Sequence, residues 1–173
     1  INQKGGVGKT TTVINLAAGL SLIGKKVLVI DLDPQGNATT GLGLSNLENS
    51  EKSIYSVLNG MKQISDVIEK TKFNNLDLIT SNVDLSGLEV ETAGDNRRAF
   101  ILKEKLTAYL NDSREDYSHI LIDCPPSLSL LTIMALVTSD SLLVPLQTEF
   151  FALEGVTQLI KTIDRIKNNL NRD

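Results

Sequence analysis

The chain opens with Ile1-Asn2-Gln3-Lys4-Gly5-Gly6-Val7-Gly8-Lys9-Thr10-Thr11, and this stretch predicts a loop that binds phosphate. Glycine tolerates φ > 0, so a glycine-rich turn lets several backbone N–H groups converge on one anion. A helix is expected next, because apolar residues follow at helical spacing, and its positive N-terminal end would point at the same anion. The alternative is a glycine-rich turn that carries lysines by coincidence. The arrangement favours a nucleoside triphosphate site.

The roles within this loop follow from the P-loop pattern. Gly8-Lys9-Thr10 closes that pattern, although Gln3 stands where its first glycine would fall. Lys9 is expected to reach the β- and γ-phosphates, and the Thr10 hydroxyl is expected to bind Mg²⁺. The predicted nucleotide-binding residues are Lys4, Gly5, Gly6, Val7, Gly8, Lys9, Thr10 and Thr11.

Lys4 is a second lysine on the same loop, and a bound triphosphate needs only one. The spacing of Lys4 in the loop is compatible with two interpretations. Its ammonium group is either a solvated surface charge or a cation that reaches a phosphate from outside, most simply across a dimer interface.

The order of apolar stretches predicts an α/β fold with a doubly wound, mostly parallel sheet. Strands are expected at 27–30, 76–80, 119–123 and 142–145, and helices at 95–110 and 153–166. One or two helices, interrupted near Gly60, are expected over 53–70. The apolar run 128–137 is better interpreted as a buried helix than as a membrane span. Ligands of such sheets bind beyond the carboxyl ends of the strands, which is where the acidic residues of this chain fall.

Asp123 ends a predicted strand and precedes Cys124-Pro125-Pro126-Ser127. A carboxylate at that point can hold Mg²⁺ through its water shell, as in P-loop NTPases. The alternative is a helix cap or a turn aspartate. The two prolines restrict the loop 123–129, which is therefore a candidate for a segment that follows the γ-phosphate.

Asp31 and Asp33 lie two residues apart at the end of another predicted strand. One carboxylate can position or deprotonate the attacking water while the other supports the Mg²⁺ shell. We expect Asp33 to be the hydrolysis residue and Asp31 to be the supporting metal residue. The alternative is that both residues only begin a turn.

Composition restricts the class of protein. The 173 residues are 41% hydrophobic, which suffices for one well-buried domain, and the net charge of −4 argues against a broad basic face for nucleic acid. The lone cysteine excludes a disulfide framework and fits a reducing cytosol.

Only three residues precede Lys4, whereas a P-loop normally follows a buried strand. We therefore expect residues 1–173 to be a single domain truncated at both ends, without part of its first strand and its C-terminal third.

Four motifs in order resemble those of the ParA/MinD ATPases, a P-loop family with a deviant Walker A loop and a SIMIBI-like fold. The segment from Asp31 to Asn37, with the sequence Asp-Leu-Asp-Pro-Gln-Gly-Asn, is similar to the form found in ParA/Soj partitioning proteins. The other three motifs are Lys4–Thr11, Asp123–Ser127 and Pro145–Gly155.

This resemblance implies a Mg²⁺-dependent ATPase whose two subunits are joined face to face by ATP. Lys4 would then be the signature lysine that contacts ATP in the partner subunit and contributes to catalysis with Lys9 and Asp33. The resemblance also implies non-specific DNA binding by the dimer, through regions mostly absent from this chain. A ParB-like centromere-binding protein would stimulate hydrolysis and so drive chromosome or plasmid segregation. The expected location is the cytoplasm, in association with the nucleoid and not with a membrane.

Three other functions compete with partition. A MinD-like division-site ATPase shares the loop but lacks the Pro34-Gln35-Gly36-Asn37 segment and ends in an amphipathic membrane helix. A nitrogenase-iron-protein-like reductase would need two cysteines per subunit, and Cys124 is the only one in the chain. A P-loop carrier would bind nucleotide without hydrolysing it.

Overall fold

A computed structural model describes residues 6–44, 51–146 and 152–171. The strands of this part of the chain are β1 (Val27–Asp31), β2 (Ile68–Lys70), β3 (Leu76–Ile79) and β4 (His119–Asp123). The helices are α1 (Lys9–Leu22), α2 (Asn37–Gly41), α3 (Ile54–Leu58), α4 (Ile64–Val67), α5 (Leu88–Glu91), α6 (Ile101–Asp112), α7 (Leu130–Thr138) and α8 (Ala152–Asn169). Two 3₁₀ turns, Val83–Gly87 and Arg98–Phe100, precede α5 and α6.

The strands form one sheet in the order β2-β3-β1-β4. β1 is parallel to both of its neighbours, β3 and β4, whereas β2 is an antiparallel edge strand. The predicted α/β fold with a mostly parallel sheet is confirmed. Asp31 is in register with Asp123, so the carboxyl ends of β1 and β4 lie side by side.

Helices cover both faces of the sheet, as a doubly wound fold requires. Every residue of β1 is fully buried, because a central parallel strand packs on both sides. Val29 lies in a cluster with Ala17 of α1 on one face. Leu28 lies in the larger cluster on the other face, with Leu102 of α6 and Met134 of α7. Because β1 is held from both sides, its carboxyl end is a fixed platform for the residues that follow it.

The stretch 53–70 differs from its prediction only at its end. The two short helices α3 and α4 lie on either side of Gly60, as expected, but the last three residues of the stretch form the edge strand β2 instead of continuing a helix. A capping box between Gln63 and Asp66 begins α4, and pairing with β3 then draws Ile68–Lys70 into the sheet. Tertiary pairing thus outweighs the helical pattern at this point.

The strand expected at 142–145 is not a strand of the described sheet. Leu142 and Leu143 are partly exposed and line a groove of about 850 Å³ together with residues of β4. An apolar run predicts a buried strand, but both burial and pairing depend on a neighbouring element that the run itself does not specify, and Leu142 and Leu143 are exposed here.

The helix expected at 95–110 begins later than predicted, because a 3₁₀ turn precedes α6. Asp95 Oδ1 accepts the Arg97 N–H at 2.7 Å, which is an Asx turn that precedes the 3₁₀ turn and does not cap α6. The helix expected over the apolar run 128–137 is confirmed as α7, most of whose side chains are buried. In the described part of the chain, no helix is both long and apolar enough to cross a membrane.

Candidate functional site

The glycine-rich loop meets the end of β4 through a side-chain hydrogen bond. Thr10, in the first turn of α1, donates its hydroxyl proton to Asp123 Oδ2 at 2.7 Å. These two residues are 113 positions apart in the chain. The structure therefore brings together two of the predicted metal residues.

The described part of the loop has the backbone conformation that its glycines predict. Gly6 and Gly8 have φ angles of 81° and 85°, in the left-handed region that favours glycine. Gly8 is the N-cap of α1, and its carbonyl oxygen accepts both the N–H and the hydroxyl of Thr12. The expected residues Lys4 and Gly5 lie outside the described residues.

Asp123 is almost fully buried beside this loop. Its Oδ2 accepts the Thr10 hydroxyl, and its Oδ1 has no hydrogen-bond partner among the residues that the structure describes. Burial is the main cause that raises the pKa of Asp123, and the charge of Asp33 raises it further. The Thr10 hydrogen bond and the charge of Lys9 act in the opposite direction. These effects place Lys9 and Asp33 close enough to Asp123 to interact with it electrostatically.

The donor set suits a hard cation such as Mg²⁺. A buried carboxylate oxygen without a protein partner and a neighbouring threonine hydroxyl are oxygen ligands of the kind that this ion prefers. Within the described ranges, no group of three or more His, Cys, Asp or Glu side chains could hold a metal ion alone. An ion at Asp123 would thus need further oxygen ligands from phosphate and water, as Mg²⁺ commonly does.

Asp31 anchors the loop that follows β1. Its Oδ1 accepts the backbone N–H of Asp33 at 3.2 Å, and its Oδ2 accepts both the N–H and the hydroxyl of Thr39 at 2.7 Å. Burial raises the pKa of Asp31 to about 6, although these hydrogen bonds lower it and the charge of Asp123 raises it slightly. Protein donors thus occupy both carboxylate oxygens. The supporting metal role expected for Asp31 stays a prediction.

Asp33 lies at the same edge of the sheet as Asp123. Its Oδ1 accepts the N–H of Gln35 at 3.0 Å, and its carbonyl oxygen accepts the N–H of Gly36 at 2.9 Å. The side chain is largely buried within this tight turn. The turn expected from Pro34 and Gly36 is present, and the catalytic role of Asp33 stays a prediction.

Thr39 is a residue of this site that the sequence patterns did not indicate. It lies in the five-residue helix α2, eight positions after Asp31. The Asn37-Ala38-Thr39-Thr40 stretch contains two threonines, and the sequence gives no sign of which one faces the carboxylate.

Cys124 follows Asp123, and its thiol is directed to the carbonyl oxygen of Ile122 and not to either aspartate. Its thiol is buried, and this burial raises its pKa to about 12. A thiol with so high a pKa is a poor nucleophile and metal ligand at neutral pH. Cys124 is therefore a small packing residue of the larger core cluster. The segment 147–151, which belongs to the fourth motif, lies outside the described residues.

The family model described as an AAA domain matches residues 1–173. The "Chromosome partitioning protein ParA" of Caulobacter vibrioides is 48% identical over 98% of this chain and 62% of its own length. The "Sporulation initiation inhibitor protein Soj" of Bacillus subtilis is 47% identical over 99% of this chain and 66% of its own length. The chain thus spans a little under two thirds of the length of these curated relatives.

A solved structure from Mycobacterium smegmatis has a closely similar fold. It is named cobyrinic acid a,c-diamide synthase and contains a bound ATP analogue and magnesium. Its TM-score is 0.90 at 38% identity, and the match covers 100% of this chain and 68% of that one.

The close approach of Gly36 to Ser81 yields a stability prediction. Gly36 and Gly43 both have positive φ, so alanine at either position costs about 1 kcal/mol of backbone strain. An added Cβ at Gly36 would also lie 3.3 Å from the backbone oxygen of Ser81, whereas at Gly43 it would meet nothing within 4 Å. Urea denaturation should therefore show a loss of about 2 kcal/mol for Gly36→Ala and about 1 kcal/mol for the matched control Gly43→Ala. Equal losses for the two variants would show that the turn at Gly36 is not packed tightly against the backbone of Ser81.

Proposed function

Because the chain belongs to the ParA/Soj family of P-loop ATPases, we propose that its site binds ATP with Mg²⁺ and hydrolyses the ATP to drive DNA partition. The observation that carries this proposal is the hydrogen bond between Thr10 and Asp123, which joins the phosphate loop to a buried carboxylate at the end of β4. The curated relatives named for partition and sporulation control are 48% and 47% identical to the chain. The structure named as a synthase is only 38% identical, so the names of the two curated relatives are the better guide to the function of this chain.

The phosphate loop binds the triphosphate. Left-handed glycines at positions 6 and 8 turn the backbone so that N–H groups and the start of α1 face the anion. Lys9 supplies a positive charge for the β- and γ-phosphates. Gly5, Val7 and Thr11 complete the expected cradle.

Thr10 and Asp123 hold the metal side of the site. Mg²⁺, when bound with ATP, neutralises charge that develops on the phosphate oxygens. The Thr10 hydroxyl is its proposed direct ligand, and Asp123 accepts hydrogen bonds from its water shell through the oxygen that the described residues leave unpaired. Asp31 adds negative charge near the ion, and its carboxylate accepts the backbone N–H of Asp33.

Asp33 orients the attacking water and accepts its proton. Asp33 follows β1, whose carboxyl end lies in register with that of β4, and this position at the ligand edge of the sheet supports the assignment. Its backbone N–H is held by Asp31. A fixed position for such a group favours hydrolysis, because catalysis of phosphoryl transfer consists mostly of positioning and electrostatic stabilisation.

The finer steps of the cycle rest on the family alone. ATP would join two subunits face to face, with Lys4 contacting the nucleotide of the partner subunit. The dimer would bind DNA without sequence preference, and a ParB-like protein would stimulate hydrolysis and release. Hydrolysis measured with and without such a protein and DNA separates this cycle from a P-loop carrier, whose turnover neither would change.

Substitutions of Lys9 and Asp33 test the division between binding and hydrolysis. Lys9→Ala should abolish ATP binding in calorimetry, because it removes the charge that faces the phosphates. Asp33→Ala should bind ATP as the wild type does but hydrolyse it at least about 100-fold more slowly in a single turnover. The exposed residues Lys25 and Asp112 provide matched controls, and Lys25→Ala and Asp112→Ala should leave both measurements unchanged. Hydrolysis by Asp33→Ala at the wild-type rate would remove Asp33 from the mechanism.

Lys4 tests the proposal of a shared site. Lys4→Ala should bind ATP but fail to dimerise with it, because the charge that reaches the partner's phosphates is lost. Light scattering with and without ATP measures this, and Lys25→Ala should dimerise normally. A Lys4→Ala protein that dimerises with ATP as the wild type does would refute the contact across the interface.

A further inference from the structure

Thr39 joins three segments of the chain at one buried point. Its N–H and its hydroxyl both donate to Asp31 Oδ2 at 2.7 Å, and its hydroxyl oxygen accepts the backbone N–H of Ser81 at 3.0 Å. Ser81 follows β3 and lies 42 positions away from Thr39. The hydroxyl therefore acts as donor to the end of β1 and as acceptor from the segment after β3.

The carboxylate of Asp31 links Thr39 to the backbone of Asp33. Asp31 Oδ1 accepts the Asp33 N–H, while its Oδ2 is held by Thr39. The carboxylate of Asp31 thus cannot turn without losing contacts at both ends. Gly36, in the same turn as Asp33, also packs against the backbone of Ser81. The turn is held against the segment after β3 by a hydrogen bond and by direct packing.

We propose that Thr39 is a positioning residue for hydrolysis, which fixes Asp31 and through it the turn that carries Asp33. This inference rests on the proposed ATPase function. The side chain of Thr39 is buried and its hydroxyl is occupied by Asp31 and Ser81, so we expect it to make no contact with the nucleotide. Its loss should therefore change the hydrolysis rate and leave ATP affinity nearly unchanged.

The chain offers a matched set of variants for this test. Thr39→Val keeps the shape of the side chain but removes the hydroxyl, and Thr39→Ser keeps the hydroxyl. Thr40 is the adjacent residue of α2 and is exposed, so Thr40→Val makes the same chemical change away from Asp31.

Single-turnover hydrolysis and calorimetric ATP binding are measured on the wild type and on these three variants. Thr39→Val should hydrolyse ATP about 10- to 100-fold more slowly than the wild type, because a small displacement of a catalytic group has effects of this size. Its Kd for ATP should stay within about twofold, since the phosphate loop is unchanged. Thr39→Ser and Thr40→Val should both hydrolyse at close to the wild-type rate. A wild-type rate in Thr39→Val, or an equal defect in Thr39→Ser, would overturn the proposal.

Amide hydrogen exchange of Asp33 tests the linkage independently of catalysis. Exchange should be at least about tenfold faster in Thr39→Val than in Thr40→Val, because the acceptor of the Asp33 N–H is released. Unchanged exchange would overturn the proposal.

If the wild type does not hydrolyse ATP, the proposed function fails and the exchange result still decides whether Thr39 holds the turn. If Thr39→Val does not fold, Thr39→Ala, which places no methyl group against the carboxylate, carries the same expectations in both measurements.

Discussion

A hydrogen bond of 2.7 Å joins Thr10 Oγ1 to Asp123 Oδ2, and the candidate site is organised around it. It connects the start of α1 to the end of β4, so the phosphate loop has a fixed position relative to the sheet. A buried carboxylate is costly unless it is paired or hydrogen-bonded. Asp123 meets this condition at one oxygen only, which makes the other oxygen a natural acceptor for the water shell of a cation.

The two aspartates that are in register at the strand ends have different surroundings, and we propose different roles for them on that ground. Asp31 has both oxygens filled by donors from its own loop and from Thr39. Asp123 has one oxygen left for a ligand among the described residues. Burial raises the pKa of both groups, and their mutual repulsion adds to this for Asp31. One carboxylate thus shapes the turn of Asp33, and the other faces the space where phosphate and metal would lie.

Local patterns in the sequence predicted the features that depend on local physics. The continuous apolar run at 27–30 is the fully buried strand β1, and the turn at Pro34 and Gly36 follows it. A similar run at 142–145 is not a strand of the described sheet, because pairing depends on a neighbour that the run itself does not specify. Thr39 was missed for the same reason, since its role depends on Ser81, which is far away in the chain. The exposed Leu143 and the contact between Thr39 and Ser81 both depend on tertiary geometry, which local apolar spacing does not report.

The central claim is that Thr10 and Asp123 form the metal side of a triphosphate site. A crystal structure of the protein with a non-hydrolysable ATP analogue and Mg²⁺ tests it most directly. The account predicts the ion at about 2.1 Å from Thr10 Oγ1, with Asp123 reaching it through coordinated water. The hydroxyl of Thr10 would then have turned from the carboxylate to the ion. An analogue bound with its metal elsewhere, with the hydrogen bond between Thr10 and Asp123 intact, would contradict the account.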